Sequence, residues 1–398
     1  MVFTSLFIQL GTTSCVGEVQ EENGEVHSAK AIVTGAERTA DYFPILEGKR
    51  LALVSNHASR IGSTHLLDTL ISSGIEVKVV FSPEHGFRGN EDAGAMVKDG
   101  VDPQSGLPVY SLYGNHKKPS KEELGEVDLI LFDLQDVGVR FYTYLSTLHY
   151  VMQAAAEQGI PLIVLDRPNP FMNVVDGPVM TKESMSFVGL HPVPLIYGMS
   201  IGEYARMIAG EGWVGERLNP QLTVIDCLNL DRESDYTLPI APSPNLPNMR
   251  SIHLYPSLAL FEGTVISVGR GTDLPFQQIG HPNLKDHYTH SFNPEASKGA
   301  SNPKLKGETC YGLRLAQASD SKVLDLHYLI DFYTKYSDKG SFFNNYFHLL
   351  AGNKVLIEQI KAGKSAAEIE ASWENDLNAF KKIRKQYLHY PSKAEAGN

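Results

Sequence analysis

The chain has few cysteines, no long apolar run and a shortage of positive charge, and each of these excludes a class of protein. Its 398 residues include three cysteines, Cys15, Cys227 and Cys310, which are too few for a disulfide framework and are not spaced as zinc ligands. No uninterrupted apolar run approaches the length of about 18 residues that a membrane-spanning helix needs. Lys and Arg number 35 against 46 Asp and Glu, and the resulting net charge of -11 opposes nucleic-acid binding.

Several catalytic and cofactor signatures are absent as well. The first predicted strand is followed by residues 55–62 (SNHASRIG), which lack the glycine pattern of dinucleotide-binding loops, and no Walker A sequence occurs. No G-x-S-x-G elbow is present, which disfavours a serine hydrolase. H-x-H, H-E-x-x-H and D-x-D-x-D spacings are also missing. We therefore predict no metal site and no cofactor.

The order of apolar and polar stretches predicts the fold class. With 42% hydrophobic residues and about 150 residues per domain, the chain can form two or three domains with cores of their own. Strands are predicted at residues 51–54, 77–81, 129–134, 162–165 and 222–227, and helices at 64–73, 144–158 and 199–208. Continuous apolar strands that alternate with helices predict an α/β fold, with a Rossmann-like doubly wound parallel sheet and a second, smaller α+β auxiliary domain.

A cluster of prolines and asparagines between residues 239 and 256 marks the predicted domain boundary. Residues 1–43 are then a signal- or lipoprotein-like segment and flexible tether, 44–238 a Rossmann-like catalytic domain, and 239–398 an auxiliary domain that completes the cleft. Near the C-terminus, residues 355–386 predict two helices that are broken at Gly363.

The N-terminal residues indicate where the protein acts. Residues 2–10 are mostly apolar, residues 11–14 are small, Cys15 follows, and residues 16–24 are acidic. This order is typical of the end of a secretory signal with a lipidated cysteine. We predict a periplasmic protein or one anchored to the cell envelope by a lipid on Cys15, and a cytoplasmic protein if the segment is not a signal. Oligomeric state is left open.

Polar motifs follow each of the first four strands, and the second domain adds two charged residues in glycine-flanked settings. Because the carboxyl ends of parallel strands meet at one edge of a sheet, ligands bind in the crevice there. The candidate site residues are Ser55, Asn56, Glu84, His85, Arg88, Asp133, Asp136, Arg140, Tyr142, Asp166, Arg167, Asn169, Glu262 and Arg270. Paired carboxylates in one cleft suit glycoside hydrolysis, in which one carboxyl protonates the leaving oxygen and another stabilises or attacks the sugar.

Five segments carry a resemblance to a known family. Residues 82–89 (SPEHGFRG), 133–144 (DLQDVGVRFYTY), 166–170 (DRPNP), 242–245 (PSPN), and 262–264 (EGT) with 269–272 (GRGT) are similar to those of the exo-β-N-acetylmuramidases of bacterial peptidoglycan recycling. The resemblance spans roughly residues 44 to 391. It implies a glycoside hydrolase that releases N-acetylmuramic acid from the non-reducing ends of peptidoglycan fragments.

The resemblance implies that Glu84 is catalytic, and its place beyond a strand end suits a general acid. Asp136 is our choice for the second catalytic group, with His85 as a further catalytic candidate. Asp133, Asp166 and Glu262 compete for that second place, and the substrate's own acetamido oxygen is a further alternative. The other candidates are assigned to substrate binding. Among the arginines we favour Arg270 for the lactyl carboxylate of muramic acid, since a planar guanidinium pairs well with a carboxylate.

Two alternative functions remain open at this stage. One is a lipoprotein that binds muropeptides without cleaving them, with Tyr142, Tyr144 and Tyr255 as stacking platforms. The other is a metal-dependent hydrolase that uses the same carboxylates. A saccharide derived from peptidoglycan is the expected partner in each case.

Overall fold

Apolar runs in the first half of the chain become neighbouring strands of one large sheet. The computed structural model describes residues 1–2, 30–84, 86–87, 99–317 and 322–392. Its strands are β1 (Arg50–Ser55), β2 (Arg60–Ile61), β3 (Thr64–His65), β4 (Glu76–Ser82), β5 (Gly100–Val101), β6 (Pro108–Ser111), β7 (Leu129–Asp133), β8 (Leu162–Leu165), β9 (Leu222–Ile225), β10 (Gln278–His281), β11 (His290–Phe292) and β12 (Cys310–Arg314). Its α-helices are α1 (Thr39–Leu46), α2 (Leu66–Ser72), α3 (Tyr144–Gln158), α4 (Ile201–Gly210), α5 (Met249–Leu258), α6 (His327–Lys335), α7 (Phe347–Ala351), α8 (Val355–Lys361), α9 (Ala366–Ala371) and α10 (Glu374–Arg384).

The large sheet has the spatial order β5-β6-β4-β1-β7-β8-β9. All neighbours pair in parallel except β5, which runs antiparallel to β6. When its six parallel strands are numbered along the chain, their order is the 3-2-1-4-5-6 of doubly wound sheets. The strand order reverses between β1 and β7, where Leu51 lies beside Leu129. The predicted α/β fold with a parallel sheet is therefore confirmed.

Both faces of this sheet are buried, which explains why its strands have continuous apolar runs instead of alternation. On one face, Ala52 and Val54 pack in a core with helices α3 and α4. On the other face, Leu51 and Leu53 pack with helices α1 and α2. Helix α3 begins and ends where the sequence predicts, and Gly159 ends it in the left-handed conformation with φ 67°.

The C-terminal region is smaller and forms its own antiparallel sheet of order β10-β12-β11, surrounded by helices α5 to α10. Its apolar side chains continue the core on the α3 and α4 face of the large sheet. The end of the chain also returns to that region, where the Tyr390 hydroxyl donates to Asp166 at 2.5 Å. The described residues from Ile32 onward consequently form one compact unit.

The structure differs from the sequence predictions in three places. Residues 32–43, assigned to the tether, pack on the sheet: Gly35 N–H donates to the carbonyl of Asp166 at 2.8 Å, and Tyr42 is buried. The proline-rich boundary segment contains helix α5, which Asn248 caps by accepting from Ser251 N–H. Residues 355–386 form three helices, because a second break near Trp373 follows the one at Gly363.

Cys15 and the other signal-like residues lie outside the described residues, so the predicted anchor is not tested. Across the described ranges, none of the helices is long and apolar enough to cross a bilayer.

Candidate active site

A cleft of about 1020 Å³ opens at the carboxyl ends of the parallel strands, where the sheet topology predicts a ligand site. Loops that follow β4, β6 and β7 form one wall, and the C-terminal region forms the other through residues 255–270, 299–304 and 346–350. Its volume lies at the upper end of the range of about 300 to 1,000 Å³ that small-molecule pockets occupy. The cleft is therefore large enough for an oligosaccharide fragment.

Glu84 reaches the cleft from a tight turn at the end of β4. Pro83 follows the last residue of the strand, and Gly86 closes the turn by donating its N–H to the carbonyl of Pro83 at 3.2 Å. The positive φ of Gly86, 75°, suits a glycine at this position. Thr143, at the start of α3, donates its hydroxyl to Glu84 Oε2 at 3.2 Å. The carboxyl is therefore oriented at the junction of the β4 and β7 loops.

Tyrosines line the cleft near this carboxyl. Burial raises the pKa of Tyr346 to about 12, and the negative charges of Glu84 and Glu262 contribute. Burial likewise raises the pKa of Tyr113, to which the charge of Glu84 and a hydrogen bond with it add. Both phenols are therefore neutral at physiological pH and keep a proton to donate, which Tyr113 directs to Glu84.

Glu262 and Arg270 form an ion pair on the opposite wall. Arg270 Nε donates to Glu262 Oε1 at 2.8 Å, and the guanidinium lies 4.8 Å from the centre of the Phe276 ring. Burial opposes ionisation of Glu262, but the charges of Arg270 and Lys304 outweigh it and lower its pKa. Arg270 Nη1 is buried and has no hydrogen-bond partner among the described residues. The guanidinium therefore keeps hydrogen-bonding capacity beyond its ion pair with Glu262.

Lys304 lines the same wall and holds the backbone near Glu262 through hydrogen bonds. Its Nζ donates to the carbonyls of Phe261, Thr264 and Ile266 at 3.1, 2.6 and 3.1 Å. Of the charged side chains that line the described cleft, Lys117, Arg270 and Lys304 are positive, whereas Glu84 and Glu262 are negative. In a protein with net charge -11, this local excess of positive charge favours an anionic substrate.

A small side chamber of about 50 Å³ adjoins the main cleft. Glu84 and Arg270 line both spaces, and the chamber is further enclosed by Tyr142, Ser243, Asn245, Leu246 and Phe276. The turn of residues 242–246 forms its floor: the Tyr142 hydroxyl donates to the carbonyl of Pro242 at 3.0 Å, and Asn245 N–H donates to Ser243 Oγ at 3.2 Å.

Comparison with known proteins decides the family. The N-terminal model of the exo-β-N-acetylmuramidase NamZ matches residues 51–250, and the C-terminal model of the same family matches residues 253–390. The chain belongs to the NamZ family. The resemblance inferred from the five motifs is confirmed.

Relatives in this family cover nearly the whole chain. The peptidoglycan β-N-acetylmuramidase NamZ of Bacillus subtilis is 36% identical over 416 aligned residues, which include 98% of each protein. A crystal structure of a DUF1343 family protein from Bacteroides fragilis matches with a TM-score of 0.85 and 43% identity, covering 92% of this chain and all of that one. A second such protein from the same species matches with a TM-score of 0.75, 28% identity and coverage of 90% and 99%.

The structure brings four of the sequence-predicted site residues together. Glu84, Glu262 and Arg270 line the cleft, and Tyr142 lines the side chamber. His85 and Arg88 lie outside the described residues, so their predicted roles are untested.

Asp136, the predicted second catalytic group, does not line the cleft and requires a correction. It is 2% exposed, and its Oδ2 accepts from the Tyr197 hydroxyl and from Gly138 N–H at 2.7 Å. Burial raises the pKa of Asp136 to about 6, against hydrogen bonds that lower it. The hydroxyl of Tyr197 and the N–H of Gly138 hold this carboxyl in the core, away from the cleft.

Asp166 and Arg167, predicted to bind substrate, instead hold the sheet region together, as does the competing candidate Asp133. Arg167 forms a two-pronged ion pair with Asp133 at 2.5 and 2.8 Å, with both side chains at most 4% exposed. Asp166 accepts from Ser200 Oγ and Gly202 N–H at 2.7 Å each, which fixes the start of α4.

Ser55, Asn56, Asn169 and Arg140 are also buried away from the cleft, against the predicted substrate contacts. Asn56 Nδ2 donates to the Tyr144 hydroxyl at 2.7 Å, and Asn169 Nδ2 donates to the carbonyl of Met199 at 2.7 Å.

Arg140 has no carboxylate partner in the described chain. It donates to the carbonyls of Pro178, Val193 and Leu350 at 2.9, 2.8 and 3.0 Å, and burial lowers its pKa to about 9. It therefore connects the β7 loop to α7, which forms part of the cleft wall.

Sequence reasoning missed several cleft residues, among them Tyr113, Lys117, Thr143, Lys304 and Tyr346. Thr143 lies within a recognised motif, so its position next to a helix start was a usable signal. Lys304 and Tyr346 lie in segments without a motif, and only the folded chain brings them to the site. In the described ranges, no group of three or more His, Cys, Asp or Glu side chains is arranged to hold a metal ion.

Proposed function

We propose that the protein is an exo-acting β-N-acetylmuramidase that releases N-acetylmuramic acid from the non-reducing ends of peptidoglycan fragments. The observation that carries the proposal is the position of Glu84 in a large cleft, opposite a guanidinium with a free donor, in a NamZ family chain. The full-length similarity to a relative named as a peptidoglycan β-N-acetylmuramidase supports an enzyme over a non-catalytic binder.

Glu84 is the residue that transfers the proton to the glycosidic oxygen. The Thr143 hydroxyl donates to Oε2 and orients this carboxyl in the cleft, where it can reach the glycosidic oxygen. A positioned acid contributes typically about 10²- to 10⁴-fold to the rate.

Glu262 is the other carboxylate of the described cleft, and its lowered pKa keeps it ionised. An ionised glutamate holds Arg270 in place through the Nε hydrogen bond. We therefore assign Glu262 to positioning Arg270, and Arg270 Nη1 to the lactyl carboxylate that distinguishes muramic acid from glucosamine.

The direct test uses 4-nitrophenyl N-acetyl-β-muramide as substrate. The wild type should release nitrophenol with or without a chelator, and Glu84→Gln should lose about 100-fold or more in kcat while it stays folded and still binds N-acetylmuramic acid. Glu122→Gln changes an exposed glutamate outside the cleft and is the matched control.

Two outcomes would refute parts of this proposal. Near-normal turnover by Glu84→Gln would remove that residue from proton transfer. Loss of activity with chelator alone, restored by a divalent cation, would favour a metal-dependent hydrolase instead.

We also propose that the enzyme acts outside the cytoplasmic membrane, supported by the apolar residues 2–10 and by Cys15 after a run of small residues. Cell fractionation with labelled palmitate tests this. Recovery of the label in wild type and its absence in Cys15→Ser would support a lipid anchor, whereas cytoplasmic recovery of both would contradict export.

A further inference from the structure

We propose that the side chamber binds the 2-acetamido group of the non-reducing sugar and makes the enzyme selective for a small N-acyl substituent. The inference rests on the proposed function and assigns a substrate group to a space that the catalytic residues do not fill. The chamber is the space of about 50 Å³ that Tyr142, Ser243, Asn245, Leu246 and Phe276 enclose beside the main cleft.

The residues that line the chamber suit the neighbouring positions of the substituents on the sugar. Glu84 and Arg270 both line the chamber, so it adjoins both the proton donor and the guanidinium. In muramic acid, the bond to be cleaved is at C1, the acylamino group is on C2, and the lactyl ether is on C3. With Glu84 at the C1 oxygen and Arg270 at the C3 carboxylate, the substituent of C2 faces the chamber.

The volume of the chamber limits what can enter. A cavity of about 10 to 15 Å³ is enough to hold one water molecule, so about 50 Å³ admits a group of a few heavy atoms. An acetyl group is of this size, whereas a second sugar ring or a peptide is too large. The chamber is thus a pocket for a substituent, and the main cleft holds the rings.

The lining suits an amide that carries a methyl group. Leu246 and Phe276 are 2% and 1% exposed and provide apolar contact for the methyl. Ser243 Oγ accepts from Asn245 N–H at 3.2 Å, and its hydroxyl proton donates to no other group in the described chain. This proton is available for the acetamido carbonyl.

Two variants that change the chamber in opposite directions test the proposal. The substrates are 4-nitrophenyl β-muramides with N-formyl, N-acetyl and N-propionyl groups. Leu246→Ala enlarges the chamber, and we expect the N-propionyl to N-acetyl ratio of kcat/KM to rise by about 10-fold, because one methylene in a fitted pocket changes selectivity by about 10- to 200-fold. Ser243→Thr keeps the hydroxyl and adds a methyl, so the N-formyl to N-acetyl ratio should rise.

Leu349→Ala is the matched control, since Leu349 lines the main cleft and not the chamber. It should change turnover of the three substrates alike and leave both ratios as in wild type. Unchanged ratios in both chamber variants, with cleavage retained, would overturn the proposal. The same would hold if Leu349→Ala shifted the ratios as much as Leu246→Ala.

A binding experiment separates this inference from the proposed function. Calorimetry with free N-formyl-, N-acetyl- and N-propionylmuramic acid, in Glu84→Gln protein with and without Leu246→Ala, gives the acyl preference without turnover. A wild type that cleaves no muramide would refute the proposed function, and the Kd ratios would still decide on the chamber. Equal Kd ratios in the presence and absence of Leu246→Ala would refute the chamber assignment whether or not the enzyme is active.

Discussion

Replacing Arg270 by methionine should remove most of the preference for muramides over glucosaminides. The guanidinium is held by Glu262 through Nε at 2.8 Å, which leaves the buried Nη1 without a partner in the described chain. A hydrogen bond to a charged group contributes about 1.5 to 3 kcal/mol. Since about 1.4 kcal/mol is a factor of ten, the muramide to glucosaminide ratio of kcat/KM should fall by about 10- to 150-fold in Arg270→Met.

A second effect must be separated from this loss. Without Arg270, Lys304 is the one nearby cation of Glu262 that remains in the described part of the chain, so the negative charge of Glu262 repels the lactyl carboxylate. The double variant Glu262→Gln with Arg270→Met removes that repulsion. We expect its ratio to stay well below the wild-type ratio, because the direct contact is still missing.

The assay measures kcat/KM for 4-nitrophenyl glycosides of N-acetylmuramic acid and N-acetylglucosamine in each protein. Lys117→Met is the matched control, since Lys117 is a cation of the same cleft that lies 5.0 Å from the Phe187 ring and makes no ion pair with Glu262. A wild-type ratio in Arg270→Met would refute the assignment. Recovery of the full ratio in the double variant would show that repulsion by Glu262 explains the effect.

Three further predictions concern stability. Burial raises the folded-state pKa of Asp136 from 3.8 to about 6. The wild type should therefore lose about 3 kcal/mol of unfolding free energy as pH rises through that interval. Urea titrations at pH 4 and 7 measure this loss, and Asp136→Asn should not show it. Arg167→Met leaves the charge of Asp133 buried without its partner and should lower the free energy of unfolding by about 3 to 5 kcal/mol. Adding Asp133→Leu to this variant should restore part of the loss. A loss below about 1 kcal/mol in Arg167→Met would contradict this prediction. Gly271→Ala should lower both the melting temperature and the muramide preference, because φ is +76° and a Cβ would lie 2.3 Å from a backbone carbonyl oxygen. Gly62→Ala is the control: φ is +57°, its Cβ would meet nothing within 4 Å, and it should affect stability alone.

Much of the large sheet could be predicted from local sequence. Strand β8 and helix α3 have the predicted bounds, since a continuous apolar run and a 15-residue helical pattern ended by Gly159 are strong local signals. Strands β10 to β12 and helix α5 were not predicted. Strands of three to five residues carry little periodicity, and the prolines around α5 mask its pattern.

Of the two carboxyl groups predicted to be catalytic, Glu84 lies in the cleft and Asp136 does not. Glu84 and Asp136 both follow the end of a parallel strand, and nothing in their spacing separates a carboxyl that faces the cleft from one that faces the core. The turn closed by Gly86 directs Glu84 outward, whereas Tyr197 and Gly138 hold Asp136 inside.

The sequence by itself determined the family, the parallel α/β sheet and the edge of that sheet where ligands bind, because these depend on motifs and on periodicity within short segments. Only the tertiary structure decided which charged groups meet there. Glu84 and Lys304 are more than two hundred residues apart in the chain, yet both line the same cleft. Their proximity depends on the packing of the C-terminal region against the strand ends, and that packing arises from the shared core as a whole, which no local pattern records.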